Sequence, residues 1–214
     1  MKKIIYPDQL EYISSFEKKD NALIKKIERY AREHKVPILS KDSSNFLEHL
    51  IVITRPKKVL EIGTAVAYSS IKIGRNLSSE GILYTIEKSN DKIKIATKFI
   101  NKAKLEDKIN LLEGDAQEIM PKLKVKFDFI FLDADKEDYK KLFDLSLSLL
   151  KKGGVIFIDN LLWHGFAASK KVPKKYASST KHIRSFNKMF MKTPSLNTSI
   201  MPIGDGIGLG IKIK

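Results

Sequence analysis

Between residues 59 and 158, short apolar runs alternate with segments of helical length. The runs are VLEI at 59–62, ILYTI at 82–86, INLL at 109–112, FDFIFL at 127–132 and VIFI at 155–158. Strands so nearly continuous in apolar residues suit a sheet buried on both faces, and intervals that long are what parallel neighbours need to cross over. The pattern predicts helices at 66–78, 89–104, 115–123 and 136–150, with Gly153-Gly154 ending the last and turning the chain into a strand. The expected architecture is a doubly wound α/β domain.

The flanks add to this core. Leu10, Ile13 and Phe16, then Leu23, Ile24, Ile27 and Tyr30, recur at three- and four-residue steps, as on one face of a helix that packs on something. A third helix is expected from a cap at Ser43 or Ser44, carrying Phe46, Leu47, Leu50 and Ile51 up to Pro56. After Leu161 the chain turns polar, and Lys170, Lys171, Pro173, Lys174 and Lys175 form a basic loop, the segment expected to move most. A helix near 179–191 follows. LNTSIMPI and IGLGIKI then flank Gly204-Asp205-Gly206, a turn sequence that suits an antiparallel hairpin closing the sheet. With 214 residues, one domain is expected over 1–214: a helical cap at 1–55 and an α/β core at 56–214.

No stretch is apolar for long enough to span a bilayer, so no membrane partner is expected. The N-terminal MKKIIYPDQLEYISSFEKKD is broken by Pro7, Asp8 and Glu11 and makes a poor secretion signal, which predicts a cytoplasmic protein. The absence of cysteine excludes disulfides, thiolate metal sites and a cysteine nucleophile. Residues 151–214 hold 12 Lys or Arg against only Asp159 and Asp205, so most of the net +15 sits near the C-terminus. Such a field attracts phosphates and nucleic acid. Lysine and isoleucine are abundant throughout, however, as a general bias in base composition would make them.

VLEIGTAVAYSS at 59–70 reads as a strand, a small-residue turn and a helix start, the geometry that admits a ligand at the carboxyl end of a strand. A pyrophosphate-binding turn wants Gly-x-Gly-x-x-Gly, but Gly63 is followed by Ala65, Ala67 and Tyr68; the phosphate-gripping Gly-Lys-Ser/Thr loop is also missing. Glu87, 24 residues after Gly63, closes the second strand, where it can accept hydrogen bonds from both hydroxyls of a ribose. Asp115 in EGDAQE borders an adenine or caps a helix. An adenosine ligand without phosphates fits, and S-adenosylmethionine is one, its amino-acid end lying over Gly63 and Ser69.

Two further strands end in carboxylates, Asp133 in FDFIFLD and Asp159, followed by Asn160, in VIFIDN. Converging on adjacent strand ends, two carboxylates and an amide oxygen make a hard all-oxygen site suited to Mg²⁺ with open positions for water and substrate. Such a metal would chelate two neighbouring substrate oxygens and lower the pKa of a hydroxyl. Lys136 then takes the proton or steadies the anion, unless it is merely a solvated lysine in LDADKEDYKK. Trp163 lines the pocket or belongs to the core. Asp135 and Asp138 are expected to favour a helix N-terminus, and His164 and His182 are left out of the site.

With these motifs in view, VLEIGTAVAYSS, IEK, EGDAQE, FDFIFLDADK, GGVIFIDN and PIGDGIGLGIK together resemble the cation-dependent class I O-methyltransferases over almost the whole chain. That group includes the catechol and caffeoyl-coenzyme A enzymes, and the bacterial branch with VPI ahead of the core resembles the tRNA 5-hydroxyuridine methyltransferases. The resemblance implies a Rossmann-like fold with a seven-stranded, mostly parallel sheet, and a homodimer. It implies Mg²⁺ on Asp133, Asp159 and Asn160, with Lys136 and Asp133 in the catalysis. It also implies S-adenosylmethionine among Glu61, Gly63, Ser69, Glu87, Asp115, Ala116 and Asp133. Ala67 departs from the pattern, standing where relatives usually carry glycine, and its methyl group is expected to crowd the cofactor's amino-acid end. The wobble 5-hydroxyuridine of tRNA is the first substrate expected, gripped by the Lys170–Lys175 loop; a small catechol or caffeoyl ester is the alternative, and a non-catalytic RNA-binding protein a distant third.

Overall fold

The computed structural model describes residues 7–16 and 21–214. Three helices lead, α1 (Pro7–Ser15), α2 (Ala22–Glu33) and α3 (Lys41–Thr54). There follow β1 (Lys58–Ile62), α4 (Tyr68–Asn76), β2 (Ile82–Glu87), α5 (Asn90–Ala103), β3 (Ile109–Glu113), the short α6 (Ala116–Ile119) and β4 (Phe127–Leu132). The chain ends with α7 (Tyr139–Leu149), β5 (Leu150–Ile158), α8 (Ala177–Met191), β6 (Leu196–Met201) and β7 (Ile207–Lys212).

These strands form one seven-stranded sheet in the order β3-β2-β1-β4-β5-β7-β6. Pairings through β5 are parallel, whereas β7 runs antiparallel to both β5 and β6. Successive central-strand residues face opposite layers. Val59, Phe129, Phe131 and Phe157 join one apolar cluster with residues of α2 to α5; Leu60, Ile130, Leu132, Ile156 and Ile158 join another with α7 and α8. That double burial is why the runs lack polar alternation. Strand order reverses between β1 and β4, and the crevice outside their carboxyl ends is where an open α/β sheet binds its ligands.

Several boundaries differ from expectation. Helix α3 is capped by Ser40, whose backbone is extended and whose Oγ accepts from the Ser43 N–H at 3.2 Å; Ser43 and Ser44 lie buried inside the helix. The Gly153-Gly154 pair sits within β5, because Leu150 already pairs with Phe127; the glycines accommodate an irregularity in that ladder. The loops after β1 and β4 are longer than predicted: α4 starts at Tyr68 and α7 at Tyr139, leaving 63–67 and 133–138 as non-helical backbone over the crevice. Ile13 in α1 and Phe16 just after it are exposed rather than packed, and the side chain of Leu10 lies outside the described part. Among the described residues no helix is long and apolar enough to cross a membrane.

Candidate active site

A cavity of about 530 Å³ opens at the carboxyl ends of β1, β2, β4 and β5, lined among others by Gly63, Ala65, Glu87, Asp115, Ala116, Asp133, Lys136, Asp159, Asn160 and Trp163. Only glycine suits position 63: its φ is +104°, and a Cβ there would collide with the Asp133 carbonyl oxygen. The turn after β1 and the end of β4 are therefore in direct contact.

At one end of the cavity, backbone amides fix the acidic groups. Glu87 Oε2 accepts from Ala65 N–H at 2.9 Å, and Oε1 from Lys88 and Ser89 N–H at 3.1 and 2.9 Å, so the carboxylate is held at the cavity wall. Asp115 caps α6, its Oδ1 accepting from Gln117 N–H at 2.7 Å, while also lining the cavity beside Ala116. Its two readings are compatible. Lys88 reaches across to Asp135 at 3.1 Å. Asp135 thus pairs over the rim instead of serving a helix start, and Asp138, at the start of α7, accepts from Gln117 Nε2 at 2.8 Å.

Glu61 and Ser69 lie behind this wall and do not line the cavity. The Ser69 hydroxyl donates to Glu61 Oε1 at 2.5 Å; the Ser70 and Thr85 hydroxyls donate to Oε2. Burial pushes the Glu61 carboxyl up to about 7, the three hydroxyls pull it back, and the charge of Asp133 adds to the rise. Ala67 is also away from the cavity, fully buried with φ 63° as the cap residue of α4. Its cost is left-handed backbone rather than crowding of a ligand, because its methyl group points into the core.

At the other end, Asp133, Asp159 and Asn160 converge as the adjacency of β4 and β5 requires. Asp159 is 4% exposed, and its Oδ1 is buried without a hydrogen-bond partner. Burial pushes this carboxyl up to about 7, the neighbouring Asp133 charge pushes the same way, and the Asn160 N–H and Lys136 oppose. An orphaned carboxylate oxygen beside a second carboxylate is what a bound cation would relieve. Among the described residues no three His, Cys, Asp or Glu cluster as a metal site, so the donor set depends on the Asn160 amide. These residues fit a divalent cation of the Mg²⁺ type.

Lys136 is buried, not solvated. Its Nζ donates to Tyr139 Oη at 2.6 Å, Asn160 Oδ1 at 2.8 Å and the Ala134 carbonyl at 3.1 Å, and lies 3.4 Å from Asp133 Oδ1. Tyr139 in turn donates to the Asp159 carbonyl at 3.0 Å. The Trp163 ring, 5.5 Å from Lys136 Nζ, lines the cavity, as does His164. His182 is exposed on α8. Sequence reasoning missed Tyr139 and the cavity position of His164; the spacing Asp133, Lys136, Tyr139, three residues apart, was the available signal for the first.

A family model described as O-methyltransferase matches residues 13–213. The chain belongs to the O-methyltransferase family. Among curated relatives of this methyl-transferring family, a caffeoyl-CoA O-methyltransferase of Populus kitakamiensis is 34% identical over 176 residues, covering 78% of this chain and 75% of the relative. Among solved O-methyltransferases, TomG from Streptomyces achromogenes, involved in tomaymycin synthesis and solved with SAM, aligns with a TM-score of 0.84 at 26% identity over 95% of each chain. The Bacillus cereus enzyme solved with SAH aligns at 0.83 and 27% identity, over 94% of this chain and 96% of that one.

Proposed function

We propose that this O-methyltransferase transfers the methyl group of S-adenosylmethionine to one of two vicinal oxygens on a small aromatic substrate of the catechol or caffeoyl type. The observation that carries this is the meeting of Asp133, Asp159 and Asn160, one carboxylate oxygen unpartnered, in the same cavity as Glu87 and Asp115. In that arrangement Asp133, Asp159 and Asn160 would hold a divalent cation, which would supply Lewis-acid chemistry that acidifies a substrate hydroxyl.

The chain's own residues do the rest. Glu87 and Asp115 orient the nucleoside of the donor, and the turn at Gly63 lets its amino-acid end approach the backbone. Lys136, anchored by Tyr139 and the Ala134 carbonyl, places an ammonium beside the oxygen cluster, where it stabilises the substrate oxyanion by a charge-assisted hydrogen bond. Once the hydroxyl has released its proton to solvent, the new O–C bond forms as the C–S bond of the sulfonium breaks, so the positive sulfur becomes a neutral thioether and the oxyanion a neutral ether. Trp163 offers a ring face to an aromatic substrate at the cavity wall.

The relatives favour this small-molecule reading over the tRNA one, since the names they carry point to caffeoyl-CoA and to tomaymycin synthesis. The observation that keeps tRNA as the competing outcome is the row of exposed lysines at 170, 171, 174 and 175. The test is label transfer from S-adenosylmethionine to a catechol, a caffeoyl thioester and tRNA containing 5-hydroxyuridine, with Mg²⁺ or with chelator. Chelator-sensitive label in a small aromatic supports the proposal. Label confined to tRNA, and lost when the four lysines are replaced by glutamate, overturns the substrate assignment; label that persists with chelator overturns the metal.

A further inference from the structure

The β6–β7 turn, Gly204-Asp205-Gly206, lies against the site from the far end of the chain. The Gly206 and Asp205 carbonyls accept from Leu161 and Leu162 N–H at 2.9 and 2.8 Å. The Asp205 side chain goes further: Oδ1 accepts from His164 N–H at 2.6 Å, and Oδ2 from Asn160 Nδ2 at 3.4 Å. The turn has little freedom to shift. A Cβ at Gly206 would strike Leu162, and one at Gly204 would strike Ser40 and Ser43 at the start of α3.

A primary amide presents an oxygen acceptor at one end and an NH₂ donor at the other, and only its neighbours decide which way it points. Asn160 meets opposite chemistry on its two sides, the Lys136 ammonium on Oδ1 at 2.8 Å and the Asp205 carboxylate on Nδ2. Both contacts select one orientation, with the oxygen toward Lys136 and the NH₂ group toward Asp205. The backbone of Asn160 is left-handed, φ 61°, so the residue is held where few side chains would sit unaided.

We propose that Asp205 is a positioning residue for the cation site: it holds the Asn160 amide so that Oδ1, and not the NH₂ group, joins Asp133 and Asp159. This rests on reading those three residues as metal ligands. Groups hydrogen-bonded to a ligand fix its orientation, and their loss typically weakens metal binding about 10- to 100-fold. The bond to His164 N–H is separable, because an asparagine at 205 can keep an acceptor for it while turning an NH₂ toward Asn160.

Mn²⁺ binding to the full chain, followed by electron paramagnetic resonance, tests the proposal, with S-adenosylmethionine calorimetry and thermal melting as controls. Both Asp205→Ala and Asp205→Asn are expected to weaken Mn²⁺ binding about 10-fold or more. Asp205→Asn keeps the melting temperature and methyl-donor affinity of the parent. In an Asn160→Ala background, Asp205→Ala is expected to add a clearly smaller loss, the part that its charge exerts directly on Asp159. Equal losses in both backgrounds, or variants that bind Mn²⁺ as tightly as the parent, overturn the role of Asp205 alone. A parent chain that binds no Mn²⁺ overturns the metal site and the inference with it.

Discussion

Glu61 and Asp159 are both buried, and burial pushes both carboxyls up to about 7, yet their surroundings are opposites. Glu61, behind the β1 turn, receives three hydroxyl hydrogen bonds from Ser69, Ser70 and Thr85. Asp159, in front of β5, keeps an oxygen with no donor and faces a second carboxylate. The first carboxyl is finished by the fold, and the second is left for something the fold does not contain. A raised pKa therefore does not separate a supporting group from a working one; the count of satisfied oxygens does.

The sharpest way to break this contrast is Asp159→Asn. Turnover with saturating Mg²⁺ is expected to fall at least about 100-fold, the loss of several kcal/mol of charge stabilisation. Melting with chelator present should not drop, because an unpaired buried charge has been removed. A clear drop would place Asp159 in the same structural class as Glu61.

Glu61→Gln should do the reverse, lowering stability by about 1–2 kcal/mol at pH 5 through misfit of the hydroxyl network. The sign of the pH dependence follows from linkage. A carboxyl at 4.5 when unfolded and about 7 when folded holds a proton that the unfolded chain gives up. Its contribution is fully present below 4.5 and is lost as pH rises through about 7. Melting temperatures from pH 4.5 to 8 should therefore fall less steeply in Glu61→Gln than in the parent. An unchanged slope would mean that the hydroxyls, not burial, set the charge of Glu61.

The smallest effect is expected from Ala67→Gly. Relief of a left-handed alanine is offset by the greater freedom of glycine when unfolded and by the loss of a buried methyl group, leaving a net change within about 0.5 kcal/mol. The melting temperature should therefore stay within about 2 °C of the parent. Because Ala67 starts the helix that carries Ser69 and Ser70, this acts on the Glu61 side of the contrast and leaves the Asp159 side alone.

The sheet was legible because apolar runs buried on both faces leave a strong pattern, and the cavity's acidic groups because each ends a strand. What could not be read depends on contacts between distant segments. Asp205 meets Asn160 across 45 residues, and nothing near either marks the pairing. The resemblance groups Glu61 and Ser69 with the residues around the cofactor, and nothing in the sequence shows that they bond each other behind the turn. Ala67 was visible as unusual, but the reason lay in a backbone angle that sequence does not record. The exposed residues of α1 look like a core face by spacing alone, and spacing does not say whether a partner surface exists.

Gly63, pressed against the Asp133 carbonyl, joins the two halves of the chemistry at one point. In genetic terms this makes the position intolerant in an unusual way. Any side chain there must push the turn after β1 away from the end of β4 that carries Asp133, so a single missense change would disturb both proposed halves of the site at once. No compensating mutation in either half alone would restore the other, and revertants should be found only at codon 63 itself.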